Sequence, residues 1–279
     1  MPQINCRSIV VKSSQKITPN MQRVTFTGDE LADFPENYES GYVKFLFSND
    51  GQVITDKNQF EQGKYRKDYI TRTYTVRGHS REENELSIEF SLNRGKAGIA
   101  STWAESAKPG DKILITNPGS TKLVNNKADW FLLAGDMSGL PALCCNLEQL
   151  PENAQGYAVI EIVSESDKQM LTAPDGIAVR WVVNPETGKN SGALIDAIQK
   201  LTWKEGNPYI WVACNFDSMK KIRAYMKKTR NIKSKNIYIS SYWKFDRTEE
   251  EHRIDKRKDS NVPLFLRVLI GIVMRLKRF

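Results

Sequence analysis

Six consecutive residues, Arg72-Thr73-Tyr74-Thr75-Val76-Arg77, carry the chemistry needed to hold a phosphorylated, flat heterocycle. In an extended strand Arg72 and Tyr74 fall on one face, which sets a guanidinium suited to a phosphate oxygen beside a ring suited to stacking. Thr75 adds a hydroxyl and a backbone N–H for the ligand's edge, and Thr73 lies in the same run. An ordinary amphipathic strand has a similar composition, so the hexapeptide needs a second feature. Gly95-Lys96-Ala97-Gly98-Ile99-Ala100-Ser101-Thr102-Trp103-Ala104 supplies one, a loop of small residues leading into a helix. Unpaired N–H groups and the positive dipole end at the helix start, with little side chain at Gly98, Ala100 and Ser101, let a pyrophosphate approach closely. A plain helix start in a barrel crossover is the alternative.

Other chemistries lack their parts. The only histidines, His79 in GHSREEN and His252 in EEEHR, stand in polar and charged stretches and read as solvated loop residues, which disfavours Ser-His-Asp and Cys-His catalysis. No phosphate-binding G-x-x-x-x-G-K-[ST] occurs, and in Gly135-Asp136-Met137-Ser138-Gly139 the serine comes one place too late for a nucleophile elbow. Cys6, Cys144, Cys145 and Cys214 form no C-x-x-C pair, so they are expected to be reduced thiols and no metal site is assigned. No side chain is assigned as a catalytic acid, base or nucleophile.

The elements that must position these residues change character along the chain. Segments 22–28, 42–48, 71–77, 85–92 and 112–117 read as short strands between Gly, Pro, Asp and Asn clusters, and Leu86, Ile88, Phe90 and Leu92 alternate with polar residues. A small antiparallel barrel follows, interrupted by a helix near 99–107. Beyond the polar joint 124–129, near-continuous apolar runs at 130–135, 157–163, 178–183, 209–214 and 236–241 alternate with helical patterns. That pattern predicts a doubly wound parallel sheet, with ligands at the carboxyl ends of its strands. The expected division is a barrel over 1–124, an α/β domain over 125–245 and a basic tail over 246–279. A barrel followed by a nucleotide-type α/β domain is the layout of flavin reductases.

With these features placed, the chain resembles the siderophore-interacting proteins, flavin-dependent ferric-chelate reductases of bacteria. The resemblance rests on R-x-Y-T-x-R (72–77), G-x-A-S-x-W-A (98–104), P-G-D (109–111), W-x-L-L-A-G-D (130–136), L-P-A (140–142) and Y-W-K (242–244), in register from about residue 5 to about 245. It implies a ferredoxin-reductase-like architecture with FAD between the domains and reduction of a siderophore's Fe(III) to Fe(II). Arg72, Thr73, Tyr74, Thr75, Gly98, Ala100 and Ser101 are then expected to bind the cofactor, joined by Asp136 and Ser138 at a turn of the second domain. It also implies that Lys44 faces an anionic ferric siderophore, with Lys244 and Arg247 where the family carries further basic residues. Each of the three cations has a plain reading as a solvated or snorkelling side chain. Arg94 and Ile99 depart from the family's usual His and Pro.

The electron donor divides the expectations. Members using a nicotinamide dinucleotide usually carry G-D-E-T and A-G-E where this chain has Gly135-Asp136-Met137-Ser138 and Ala213-Cys214-Asn215, so a ferredoxin-like donor is preferred to NAD(P)H. The formal charge is +8, and residues 215–279 alone hold 18 basic against 7 acidic residues, a balance of +11. Lys220, Lys221, Arg223, Lys227, Lys228, Arg230, Lys233 and Lys235 form a solvated basic face or a docking surface for such an acidic carrier. Nucleic acid is not expected, because no recognised module accompanies the charge. A non-enzymatic basic binding protein is the alternative class. The apolar stretch near 262–274, followed by basic residues, either packs on the protein or lies at a membrane surface. The opening MPQINCRSIVVKSSQ has no apolar run behind a basic one, so a cytoplasmic location is expected; a monomer is the expected state of assembly.

Overall fold

Leu86, Ile88 and Phe90 alternate along β5 (Glu85–Ser91), and the computed structural model, which describes residues 6–58, 69–92 and 98–260, buries all three completely. Their strand is one of six in a closed antiparallel barrel. The others are β1 (Cys6–Thr18), β2 (Met21–Thr27), β3 (Tyr42–Ser48), β4 (Tyr69–Ser80) and β6 (Lys112–Thr116), in the order β1-β2-β5-β4-β3-β6. Strand β1 was not expected from the sequence. Its register slips between Val11 and Ser13 and again between Lys16 and Thr18, so the period-two alternation that would reveal it is broken. It nevertheless closes the barrel by pairing with both β2 and β6. The expected crossover helix is α1 (Ile99–Ser106), whose Trp103 ring packs over Phe26, Phe45 and Phe90 of the barrel core.

The second half is the expected parallel sheet, built from β7 (Trp130–Gly135), β8 (Gly156–Ile162), β9 (Ile177–Val183), β10 (Pro208–Asn215) and β11 (Ile237–Trp243). The order β9-β8-β7-β10-β11 puts a topological switch point between β7 and β10. Its two faces carry separate cores. Phe131 and Leu133 pack with α2 (Leu140–Glu148), whereas Leu132 and Ala134 pack with α3 (Ala193–Gln199) and α4 (Phe216–Ala224). The run at 178–183 departs from expectation: β9 is an edge strand, with Val179 and Val183 exposed. Its apolar residues satisfy strand propensity without full burial.

Residues 249–260, placed in the charged tail by the sequence reading, form α5 (Glu249–Ser260). A reciprocal cap begins it: the Glu251 N–H donates to Thr248 Oγ1 at 3.2 Å and the Thr248 N–H to Glu251 Oε2 at 2.8 Å. His252 is not a solvated loop residue. It is buried on α5 and shares a 2.8 Å hydrogen bond with Ser241 Oγ of β11. His79 is likewise within β4, half-buried beside Phe34. No helix of the described residues is long and apolar enough to cross a membrane, and the 262–274 stretch lies outside those residues.

Buried polar groups join the halves. Asp167 accepts from Thr18 Oγ1 (2.9 Å), Asn20 N (3.0 Å) and Asn20 Nδ2 (2.8 Å) of the β1–β2 turn, and from the N–H and hydroxyl of Ser164. Asn146 on α2 donates to Ser40 Oγ and to the Lys122 carbonyl, and Trp211 Nε1 of β10 donates to that carbonyl at 2.8 Å. Replacing Asp167 with Ala leaves several buried donors unpaired and is expected to lower unfolding free energy by about 3 kcal/mol, measured by urea denaturation.

Candidate functional site

The antiparallel register of β3 and β4 places Lys44 opposite Thr73 and Phe45 opposite Arg72. Lys44 Nζ donates to Thr73 Oγ1 at 2.6 Å, so a predicted substrate cation and a predicted cofactor residue meet directly. Arg72 is only 6% exposed. Its NH1 donates to the Thr71 carbonyl at 2.8 Å and to both carboxylate oxygens of Glu250, at 2.9 and 3.1 Å. Its Nε is buried and has no acceptor among the described residues. A buried guanidinium with an unused donor has capacity for further anionic oxygens.

Tyr74 is half-buried, its ring 4.3 Å from Phe90 and 5.7 Å from Phe45. Burial, reinforced by the Glu249 charge, pushes its phenol well above the ordinary range and keeps it neutral. Phe90 also touches Trp103, so the aromatic core couples Tyr74 to the helix that carries the small-residue loop. In that loop Gly98 precedes α1, Ala100 and Ser101 are buried, and Ser101 Oγ donates to the Gly98 carbonyl at 2.9 Å. Thr75 is buried in β4. Residues 93–97, including Arg94 and Lys96, lie outside the described residues.

At the switch point, Asp136 and Ser138 bond each other. Asp136 is 2% exposed and accepts from Ser138 N (2.9 Å), Ser138 Oγ (2.5 Å), Gly139 N (3.3 Å), Asn215 N (2.7 Å) and Trp243 Nε1 (2.7 Å). Burial pushes its carboxyl up while these donors oppose the shift. Asp136 therefore ties the ends of β7, β10 and β11 together. Gly139 is required there, since a Cβ would lie 2.1 Å from the Ala213 carbonyl oxygen. Glu161 stands on neighbouring β8, where burial and the Asp136 charge push its carboxyl up to about 7. Met137 is buried in the apolar core beside Leu140 and Leu143.

The remaining predicted cations converge on α5. Lys44 lies 3.4 Å from Glu249, Lys244 is 2.7 Å from Asp255, and Arg247 reaches Glu251 at 3.5 Å and Asp255 at 3.7 Å. Glu249 also accepts from the Thr73 N–H at 2.9 Å and Thr73 Oγ1 at 2.7 Å. Lys256 joins this cluster, donating to the Ser241 carbonyl at 2.9 Å; desolvation at its ammonium and the Lys44 charge hold it below the usual lysine range. Sequence reasoning missed Glu249, Glu250 and Lys256 because nothing in a charged run says which distant strand it meets. The Thr248–Glu251 capping pattern was the available signal for the helix itself.

Residues 10–122 match the family model for the siderophore-interacting FAD-binding domain, and residues 128–246 match that for siderophore-interacting protein. The chain belongs to the siderophore-interacting protein family. FAD is the cofactor of such a barrel, and the unused Arg72 donor beside Tyr74 fits it. Among solved structures, this family member is similar to the siderophore-interacting protein SipS from Aeromonas hydrophila, 28% identical with a TM-score of 0.78, over 92% of this chain and 99% of that one. It is 29% identical to the ferric vibriobactin reductase ViuB of Vibrio cholerae over 86% of this chain and 90% of that protein. It is 28% identical to the NADPH-dependent ferric-chelate reductase of Escherichia coli over 64% of this chain and 72% of that protein.

His252 gives the docking of α5 a pH dependence. Burial first, then the Lys256 charge, lowers its pKa from 6.5 to about 4. The folded protein binds fewer protons than the unfolded chain within that window, so its stability falls as pH drops from 6.5 towards 4. His252→Gln is expected to flatten this part of the profile, measured by thermal melts across pH.

Proposed function

We propose that this siderophore-interacting protein is an FAD-dependent ferric-siderophore reductase that acts as a cytoplasmic monomer, with FAD on domain 1–124 and the electron donor on domain 125–245. The observation that carries this reading is the buried Arg72, its Nε unused, next to Tyr74 in a barrel of the FAD-binding type. FAD supplies electrons that are accepted in pairs and released singly. Arg72 holds a phosphate oxygen, and Tyr74, fixed by Phe45 and Phe90, presents a ring of set orientation to the flavin. Thr73 and Thr75 address its edge. Gly98, Ala100 and Ser101 offer close backbone approach at a helix start, and Asp136 with Ser138 holds the turn opposite.

Lys44, Lys244 and Arg247 attract the ferric siderophore by charge. The siderophore grips Fe(III) through hard anionic oxygens, and a one-electron reduction to Fe(II) weakens that grip so the metal leaves. This chemistry needs no protein acid or base. The relatives named ferric vibriobactin reductase and NADPH-dependent ferric-chelate reductase support the reaction class.

For the donor we favour a reduced ferredoxin-like protein. Lys220, Lys221, Lys227, Lys228, Lys233 and Lys235 are exposed, while Arg223 is taken up by Asp259 at 2.7 Å and Arg230 lies 4.3 Å from the Trp203 ring centroid. The solvent-facing lysines suit an acidic carrier. NAD(P)H is the second reading, favoured by the name of the Escherichia coli relative and by the switch point of the sheet.

Arg72→Ala is expected to deplete bound FAD while the circular dichroism spectrum stays native; undiminished flavin absorbance would contradict the cofactor site. Lys44→Ala is expected to weaken binding of a ferric siderophore by about 1 kcal/mol and to make it less salt-dependent, measured by fluorescence titration. Anaerobic stopped-flow mixing separates the donors. Flavin bleaching by reduced ferredoxin that slows steeply with salt supports the preference, and fast bleaching by NADPH or NADH alone overturns it.

A further inference from the structure

The first turn of α5 carries three glutamates, and only Glu251 is needed for the cap. The other two reach into the cofactor motif: Glu250 holds Arg72 through NH1, and Glu249 spans the Thr73 amide, the Thr73 hydroxyl and Lys44. These are the groups that the proposed function assigns to FAD and to the anionic chelate. We propose that the first turn of α5 is an internal anion that competes with an FAD phosphate for Arg72 and with the ferric chelate for Lys44. The inference rests on that assignment and adds a self-inhibitory contact to it.

The geometry favours exchange. Glu250 uses a single guanidinium nitrogen, and the buried Nε stays unpaired among the described residues, so the contact falls short of a bidentate pair. A phosphate oxygen, placed to use that donor, satisfies Arg72 better. The side chains also differ in burial: Arg72 is 8% exposed and Glu250 41%, so the acid swings into water while the arginine stays.

The helix itself need not leave. Asp259 is held by Arg223 through two bonds of 2.7 and 2.8 Å, His252 by Ser241, and Asp255 by Lys244. Displacement is therefore a side-chain rotation on a moored helix. When the site is empty, the glutamates neutralise cations that would otherwise face one another unpaired.

The test uses the full chain stripped of flavin and titrated with FAD, following quenching of flavin fluorescence. Glu250→Gln keeps the shape and removes the charge, and is expected to lower the FAD dissociation constant about fivefold. Glu249→Gln is expected to tighten binding of ferric tris-catecholate by a similar factor, about fivefold, read by the same titration on the FAD-loaded protein. In an Arg72→Ala background, Glu250→Gln is expected to have no effect on FAD. Unchanged or weaker FAD binding in Glu250→Gln, or tightening that persists without Arg72, overturns the inference. If Arg72→Ala alone leaves FAD affinity intact, the underlying cofactor assignment fails instead. A chelate affinity unmoved by Glu249→Gln overturns the Lys44 half.

Discussion

A guanidinium taken out of water must be paired, and the nearly buried Arg72 imposes that requirement on the whole site. Glu250 meets it from a helix 178 residues further along the chain. For that carboxylate to arrive, α5 must cross from the end of β11 to the face of β4, which draws Glu249 onto Thr73 and Lys44 at the same time. One electrostatic demand thus fixes the contact between the last described helix and the barrel. Cations from four separate parts of the chain, Lys44, Arg72, Arg223 and the Lys244–Arg247 segment, share the acids of this single helix.

Buried hydrogen bonds hold the two halves together, beside the Arg77–Glu148 ion pair. Asp167, Asn146 and the Trp211 indole each satisfy polar groups across the junction, and all three residues are fully buried. Such groups are directional, so they set orientation as well as contact.

The charge of the C-terminal region is likewise less uniform than its sum. Arg223, Lys244 and Arg247 are bonded to acids of α5, and Arg230 lies against Trp203. Among the described residues, Lys220, Lys221, Lys227, Lys228, Lys233 and Lys235 along and after α4 stay exposed, as do Arg257 and Lys258 of α5. Lysines on flexible stems keep their hydration and steer a partner over distance, whereas Arg223 and Arg230 make planar, specific contacts with Asp259 and Trp203.

Local periodicity and short motifs determined much about this protein by themselves. The alternation at 86–92 announced a half-buried strand, the apolar runs after 130 announced a parallel sheet, and the series from Arg72 to Lys244 pointed to the family. These are properties that neighbouring residues encode, since side-chain direction repeats every two residues in a strand. Only the tertiary structure decided the rest. The bulges of β1 hid a barrel strand from any periodic reading, and the strand order left 178–183 at an edge, paired with β8 alone and open to solvent. His252, embedded in charged residues, became buried because α5 docks on Ser241. Asp136 became the tie between three strand ends, and Glu249 and Glu250 became partners of Lys44 and Arg72. A carboxylate's partner depends on the path of the whole chain, and charge pairing across such separations leaves no trace in local sequence.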